Sequence, residues 1–312
     1  MYKKIAILTI SAVYFLILIG GVVRASGSGM GCPDWPKCFG AWIPPTNVDQ
    51  LPLDYQELFG TQLKGEVEFN VFKTWTEYIN RLVGVLIGFL IFATLVLAWR
   101  EYWKSNRRVV IYSFLAFLIV GIEGILGSKV VSSELNPVLI TIHMLLAILI
   151  VVCLIYALYL SDYSVDKQLR STNGSLKFIV LILMFLSFGQ LVLGTQIREK
   201  VDILSSNFVP RLDWIRLIEG GQFYFHIVIG VIVLLGHLWI YKIGKDTVEG
   251  KVFVFFKVLI FVVVIEFIVG GLLGLMNIPA VLQPLHLTLA SVIIGIQFTL
   301  FLYFDKPIKA FV

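Results

Sequence analysis

The sequence predicts an all-α polytopic membrane protein whose eight transmembrane helices form two pseudo-symmetric, parallel four-helix bundles. Three observations predict it: an apolar composition, eight long hydrophobic windows, and an internal repeat. The chain has 312 residues, 58% of them hydrophobic and only 14% charged, with a mean hydropathy of +0.91. Soluble domains carry roughly a quarter charged residues, so lipid is the natural solvent for this chain.

About 20 mainly apolar residues cross the hydrocarbon core as a helix. That window gives spans at 5–23, 78–99, 109–128, 137–160, 178–197, 222–241, 252–276 and 279–304. The first is too long for a signal-peptide core and its exit, Gly20-Gly-Val-Val-Arg24, has no A-x-A cleavage site, so it is read as a retained span. Basic residues are densest at Lys3, Lys4, Arg100, Lys104, Arg107 and Arg108, which predicts both termini on the cytoplasmic side of a bacterial inner membrane. The net charge of +5 follows from this bias and requires no nucleic acid. The expected division is an N-terminal half, 1–160, with a long outer loop; a cytoplasmic linker, 161–177; and a C-terminal half, 178–312.

The repeat is found by counting. Glu123 precedes His143 by 20 residues, and Glu266 precedes His286 by 20. The carboxylates open similar strings, Glu-Gly-Ile-Leu-Gly at 123–127 and Glu-Phe-Ile-Val-Gly at 266–270. Spans one and five match at Gly20-Gly-Val-Val-Arg24 and Gly194-Thr-Gln-Ile-Arg198, and spans two and six at Tyr78-Ile-Asn80 and Tyr224-Phe-His226. Four spans per half is an even number, so the halves lie parallel, related about the membrane normal.

Ionisable groups inside a span are expensive and mark function. Asn80, His143, His226 and His286 each fall early in an even-numbered span, at comparable depth in the outer half. Two histidines at equal depth on two helices of one bundle can face each other across a haem. His226 and His286 form such a pair; an interhelical hydrogen bond is the competing role for any single histidine. Arg24 and Arg198, at outer helix ends, could meet propionates. Glu123 and Glu266 are read as contacting a haem edge or a wet cavity, with structural pairing the competing role for Glu266. His237 is read as an interfacial structural residue, Lys257 as snorkelling to headgroups, and Cys153 as a small buried hydrophobe.

The loop from Arg24 to Thr74 contains Ser26-Gly-Ser-Gly-Met30-Gly-Cys32-Pro-Asp-Trp-Pro-Lys-Cys38 and is read as compact and turn-rich. In an oxidising compartment a disulfide is the leading reading of Cys32 and Cys38. A redox-active pair or a Cu(I) site with Met30 remain open.

This loop string resembles the first-loop motif of haem A synthases, and Glu77-Tyr-Ile-Asn80-Arg81 resembles that family's Glu-x-x-His-Arg motif. The eight spans and the histidines of spans four, six and eight extend the likeness over nearly the whole chain. The resemblance implies an oxidoreductase that converts the C8 methyl of the substrate haem O to a formyl group by successive hydroxylations, making haem A for cytochrome oxidase assembly. It implies a resident haem b ligated by His226 and His286 in the second half. It also implies His143 on the substrate iron, Glu77 as the catalytic carboxylate, Arg24, Arg198 and Arg81 around the haem groups, and a Cys32–Cys38 disulfide. Expected partners are the farnesyltransferase that makes haem O, cytochrome oxidase assembly factors and the lipid bilayer, with homo-oligomerisation left open.

Asn80 departs from the motif. An amide is a poor iron ligand, so His143 alone is expected to hold the substrate iron, with Asn80 bonding a water or another distal ligand. Glu77, one turn from Asn80, shares its face; its competing role is a salt bridge to Arg81. The other function classes are a b-type cytochrome that only transfers electrons, and a haem or copper transporter or assembly chaperone.

Overall fold

The computed structural model describes residues 1–60, 69–162, 174–218, 220–246, 248 and 250–304. Most of the expected 161–177 linker and the last residues of the C-terminal half lie outside these. Among the described residues, eight helices are long and apolar enough to cross a membrane: α1 Tyr2–Ala25, α2 Val71–Tyr102, α3 Arg107–Ser132, α4 Pro137–Asp162, α5 Gly174–Ser206, α6 Gly221–Gly244, α7 Gly250–Leu275 and α8 Leu282–Tyr303. The helices alternate direction, so one face carries the loop residues 26–60 and the connecting residues 207–218. It is called the loop face below.

Local chemistry sets the helix ends. Asn70 caps α2, its side chain accepting from the Lys73 N–H at 3.0 Å. Asn136 does the same for α4, accepting from Val138 and Leu139, with Pro137 in the first turn where its missing N–H costs nothing. α3 and α7 end alike: Glu134 and Leu135, and Asn277 and Ile278, all have positive φ. The amide of the second residue bonds back five positions, Leu135 to Val130 at 2.9 Å and Ile278 to Leu273 at 2.8 Å. Both turns sit 143 residues apart, the spacing that relates His143 to His286.

Within each half the helices pack in the same cyclic order, α1-α2-α3-α4 and α5-α6-α7-α8, each ring closing on itself. The halves meet through α1 on α8, α4 on α5, and α4 on α8. At the first contact Gly21 lets α1 approach Pro284, where an added Cβ would lie 2.8 Å from the proline Cβ. At the second the Thr141 hydroxyl bonds Thr195 at 3.3 Å. Apolar clusters fill each half away from the loop face, around Ile91, Val151 and Leu154 in the first and Leu183, Ile240 and Leu300 in the second. Phe185 and Phe261 point outward, more than 60% exposed, as lipid-facing side chains do.

Two expectations are corrected. The segment after 197 is not yet loop: α5 continues to Ser206, because its extension stays amphipathic, burying Val201 while Asp202 pairs with Arg24 and Arg198. A hydropathy window ends where apolarity ends, not where the helix does. The first loop is turn-rich, but it also forms short helical turns at Val48–Gln50 and Tyr55–Phe59.

Candidate functional site

The first loop is held onto α2 by Glu77 and Arg81. The Glu77 side chain is buried, and Oε2 accepts from the Cys32 N–H at 2.8 Å. Its Oε1 accepts from Arg81 Nε at 3.1 Å and from Arg81 Nη2. Arg81 also donates from Nη1 to the carbonyls of Asp34 (2.7 Å) and Lys37 (3.0 Å), and from Nη2 to that of Cys32 (2.9 Å). A guanidinium has five N–H donors, and these bonds engage all of them. Arg81 is therefore a loop clamp, and it stands at the wall of the cavity described below. The competing salt-bridge role of Glu77 is present in the structure. Cys32 and Cys38 form a disulfide, which buries with Phe39 and Leu51 as a small apolar core under the loop. Gly31 permits the approach: an added Cβ would sit 2.8 Å from the Thr74 backbone nitrogen.

Carboxylate–imidazole pairs recur in both halves. His143 Nδ1 lies 2.9 Å from Glu123 Oε2, and His286 Nδ1 lies 3.0 Å from Glu266 Oε1. Both contacts have ion-pair length without an N–H aligned on the oxygen. The glycine four residues after each Glu, one helical turn on, makes room for the ring. Cβ atoms built at Gly127 and Gly270 would lie 3.7 and 3.0 Å from Cε1 of His143 and His286. Gly194 does this for His226, at 3.6 Å. Gln190 donates to the His226 carbonyl at 2.8 Å, bracing that helix. The structural pairing weighed for Glu266 is present and recurs at Glu123, and both carboxylates also line the cavity described next.

His226 and His286 face each other with ring centres 6.3 Å apart and planes at 75°. Metal–imidazole bonds of about 2.0 Å, plus about 1.1 Å from nitrogen to ring centre, put two imidazoles on one metal about 6.2 Å apart. The pair thus fits one haem iron between the rings. Among the described residues, Nδ1 of His226 has no hydrogen-bond partner. In the first half His143 and Asn80 line the same cavity, and Asn80 Oδ1 is likewise buried without a partner. One cavity of about 2200 Å³ serves both halves, well above the roughly 300–1,000 Å³ of a single-ligand pocket. Glu77, Glu123, Glu266, Arg24, Arg198 and Met30 also line it.

Arg24 and Arg198 reach the loop face as expected, but Asp202 takes both. Arg24 donates to Oδ2 from Nε (3.0 Å) and Nη2 (2.7 Å), and Arg198 Nη2 lies 2.6 Å from Oδ1. Arg198 also donates to Gln283 at 2.6 Å and to the Arg24 carbonyl at 3.1 Å, so the cluster ties α1, α5 and α8 together. The Arg198–Asp202 spacing of four within a polar helix end was the signal for it. The interfacial reading of His237 is corrected: it is 1% exposed. Its Nδ1 sits 2.6 Å from the Val233 carbonyl, and its Nε2 2.9 Å from Gln297 Nε2, which in turn donates to Ser187 at 2.9 Å. Eleven residues separate His226 from His237, about three turns, so both face inward. Lys257 is exposed, its ammonium 4.7 Å from the Phe253 ring centre, and Cys153 is buried and unpaired.

These features define a class: a polytopic helical membrane protein whose two halves present imidazole and carboxylate groups to one shared cavity. The chain belongs to the cytochrome oxidase assembly protein family, which it matches over residues 3–298. It is similar to the heme A synthase of Ehrlichia canis, 25% identical over 326 residues, which covers 95% of this chain and 91% of the relative. The heme A synthase of Bartonella tribocorum is 24% identical over 314 residues, covering 89% and 85%. That of Bartonella bacilliformis is 27% identical over 199 residues, 58% of this chain and 54% of the relative.

Proposed function

We propose that the protein is a haem A synthase, an oxidoreductase that converts the C8 methyl of haem O to a formyl group. The observation that carries this reading is the inequality of two otherwise matching sites. The second half has two imidazoles spaced for one iron, and the first has one imidazole opening on the same cavity beside an amide. Each hydroxylation adds one oxygen from water and releases two protons and two electrons; the second gives a gem-diol, which loses water.

His226 and His286 would hold a resident haem b, which would supply one-electron redox chemistry beside the substrate site. His143 takes the substrate iron, and Glu123 fixes the orientation of its ring, as carboxylate partners do for ligating histidines. Asn80, a poor ligand, leaves the other axial position open and offers its amide to water. Glu77, on the cavity wall, receives a proton released at the methyl, while its bond to the Cys32 amide keeps the disulfide loop in place as a roof. Arg24 and Arg198, bridged by Asp202, supply positive charge at the rim for propionates.

The loop face is the outer face of a bacterial cytoplasmic membrane, with both termini inside. The basic cluster Arg100, Lys104, Arg107 and Arg108 on the opposite face supports this. The farnesyltransferase that makes haem O is the expected donor, and cytochrome oxidase assembly factors the expected recipients. Co-expression with a haem O source, followed by pigment extraction, tests the reading: haem A or its hydroxylated precursor should appear. Bound haem without either product would indicate an electron-transfer cytochrome instead.

A further inference from the structure

The two halves differ most where no haem ligand lies. The cavity runs deeper in the first half, reaching Ile91, Phe92 and Phe117. Their counterparts in the repeat, His237, Leu238 and Ile260, do not line it; there it stops at Ser187, Val233, Leu234, Val263 and Ile293. Two exchanges account for the difference. Gly88 and Gly121 line the deep part, and a Cβ at either meets nothing within 4 Å; the second half has Leu234 and Val264 there. The buried polar set Ser187, His237 and Gln297 occupies positions held in the first half by Val13, Ile91 and Leu154. That set links α5, α6 and α8 through its two bonds to Gln297. One floor is open and apolar, the other filled and polar.

We propose that the apolar extension beneath His143 and Asn80 is the binding site for the isoprenoid tail of the substrate haem. We further propose that the Ser187–Gln297–His237 network, with Leu234 and Val264, closes the equivalent space to tailed haems. The inference rests on the haem A synthase reading and deepens it. Haem O differs from haem b by a farnesyl chain, so the protein must direct a tailed macrocycle to one half and a tailless one to the other. The depth suits the chain. Asn80 to Ile91 spans about 16 Å along α2, and an extended farnesyl chain, with single bonds of about 1.5 Å, reaches about 14 Å. An apolar floor takes up the tail by excluding water from it. In the second half a tail would have to displace hydrogen-bonded groups that could find no other partner, which discriminates by penalty. Glu123, 92% buried, has one carboxylate oxygen without a partner among the described residues, and it lines the same cavity in the first half.

Gly88→Leu and Gly121→Val transfer the second half's residues into open space, so neither should disturb folding. Purified protein retaining its resident haem is titrated with haem O and with haem b, following the absorption change at the first-half site. Each variant should bind haem O at least about tenfold more weakly than the parent, bind haem b within about twofold of it, and keep its resident haem. Equal loss of both haems, or undiminished haem O binding, would overturn the tail site. If the parent selects haem O but forms no oxidised product, the synthase reading fails and the tail site stands. If both variants convert haem O with the parent's KM, the tail site fails and the synthase reading stands.

Discussion

Gly270→Ala tests how tightly the second half is built around its imidazoles. The new Cβ would lie 3.0 Å from His286 Cε1, 3.6 Å from Nδ1 and 3.8 Å from Nε2. Ordinary carbon contacts begin near 3.5 Å, so the ring must yield by about half an ångström or α7 must shift. The ring is flanked by His226 at 6.3 Å and Glu266 at 3.0 Å, so yielding spoils either the iron spacing or the carboxylate contact. Overpacking of this kind costs about 1–3 kcal/mol. If the whole cost falls on the bound state, resident haem binds roughly 5- to 150-fold more weakly. Gly194→Ala and Gly127→Ala place their Cβ atoms 3.6 and 3.7 Å from the facing rings and serve as matched controls. Haem per polypeptide, with the low-spin signature expected of the proposed bis-histidine site, should fall for Gly270→Ala and hold for the controls. A Gly270→Ala protein with full haem and an unchanged spectrum would refute the argument that this glycine sets the spacing.

Arg81→Gln should cost about 3 kcal/mol by stranding the buried Glu77 carboxylate and freeing the loop; faster proteolysis between 26 and 60 would register it, and an unaltered digest would count against the clamp. Glu77→Gln should abolish haem O oxidation while resident haem stays bound; full activity rejects a role in proton transfer. Glu266→Gln should shift the spectrum or potential of the resident haem, and Glu123→Gln should alter substrate conversion alone; the reverse assignment would sink the division of labour between halves. Asp202→Ala should lower the melting temperature in detergent by leaving the Arg24 and Arg198 cations to repel each other across the halves, and an unchanged melt would show that the cluster does not brace the halves.

The eight spans were legible because lipid imposes one long apolar run per crossing. The Glu-to-His spacing of 20 was legible because ionisable groups stand out in such runs. The Cys32–Cys38 loop was legible as a motif, but its attachment was not: the bonds from Arg81 to three backbone carbonyls leave no sequence pattern. His237 was misplaced because its distance from the helix end was weighed and its angular position was not. Ser187, Gln190 and Gln297 passed unnoticed because neutral polar residues barely lower the hydropathy of a span. Only comparison of each with its repeat partner, Val13, Leu16 and Leu154, makes them conspicuous.

The contacts between the halves have a consequence for their origin. Gly21 of α1 meets Pro284 of α8, and Thr195 of α5 meets Thr141 of α4. Under the repeat, Gly21 corresponds to Thr195 and Pro284 to Thr141, so each contact is the other with the halves exchanged. Residue i touching j while j touches i is the signature of an isologous dimer. A single half would leave that patch bare to lipid and would be drawn to a second copy of itself. The chain is organised as a homodimer joined into one polypeptide, a state in which one subunit could lose a ligand and open its floor while its twin kept both.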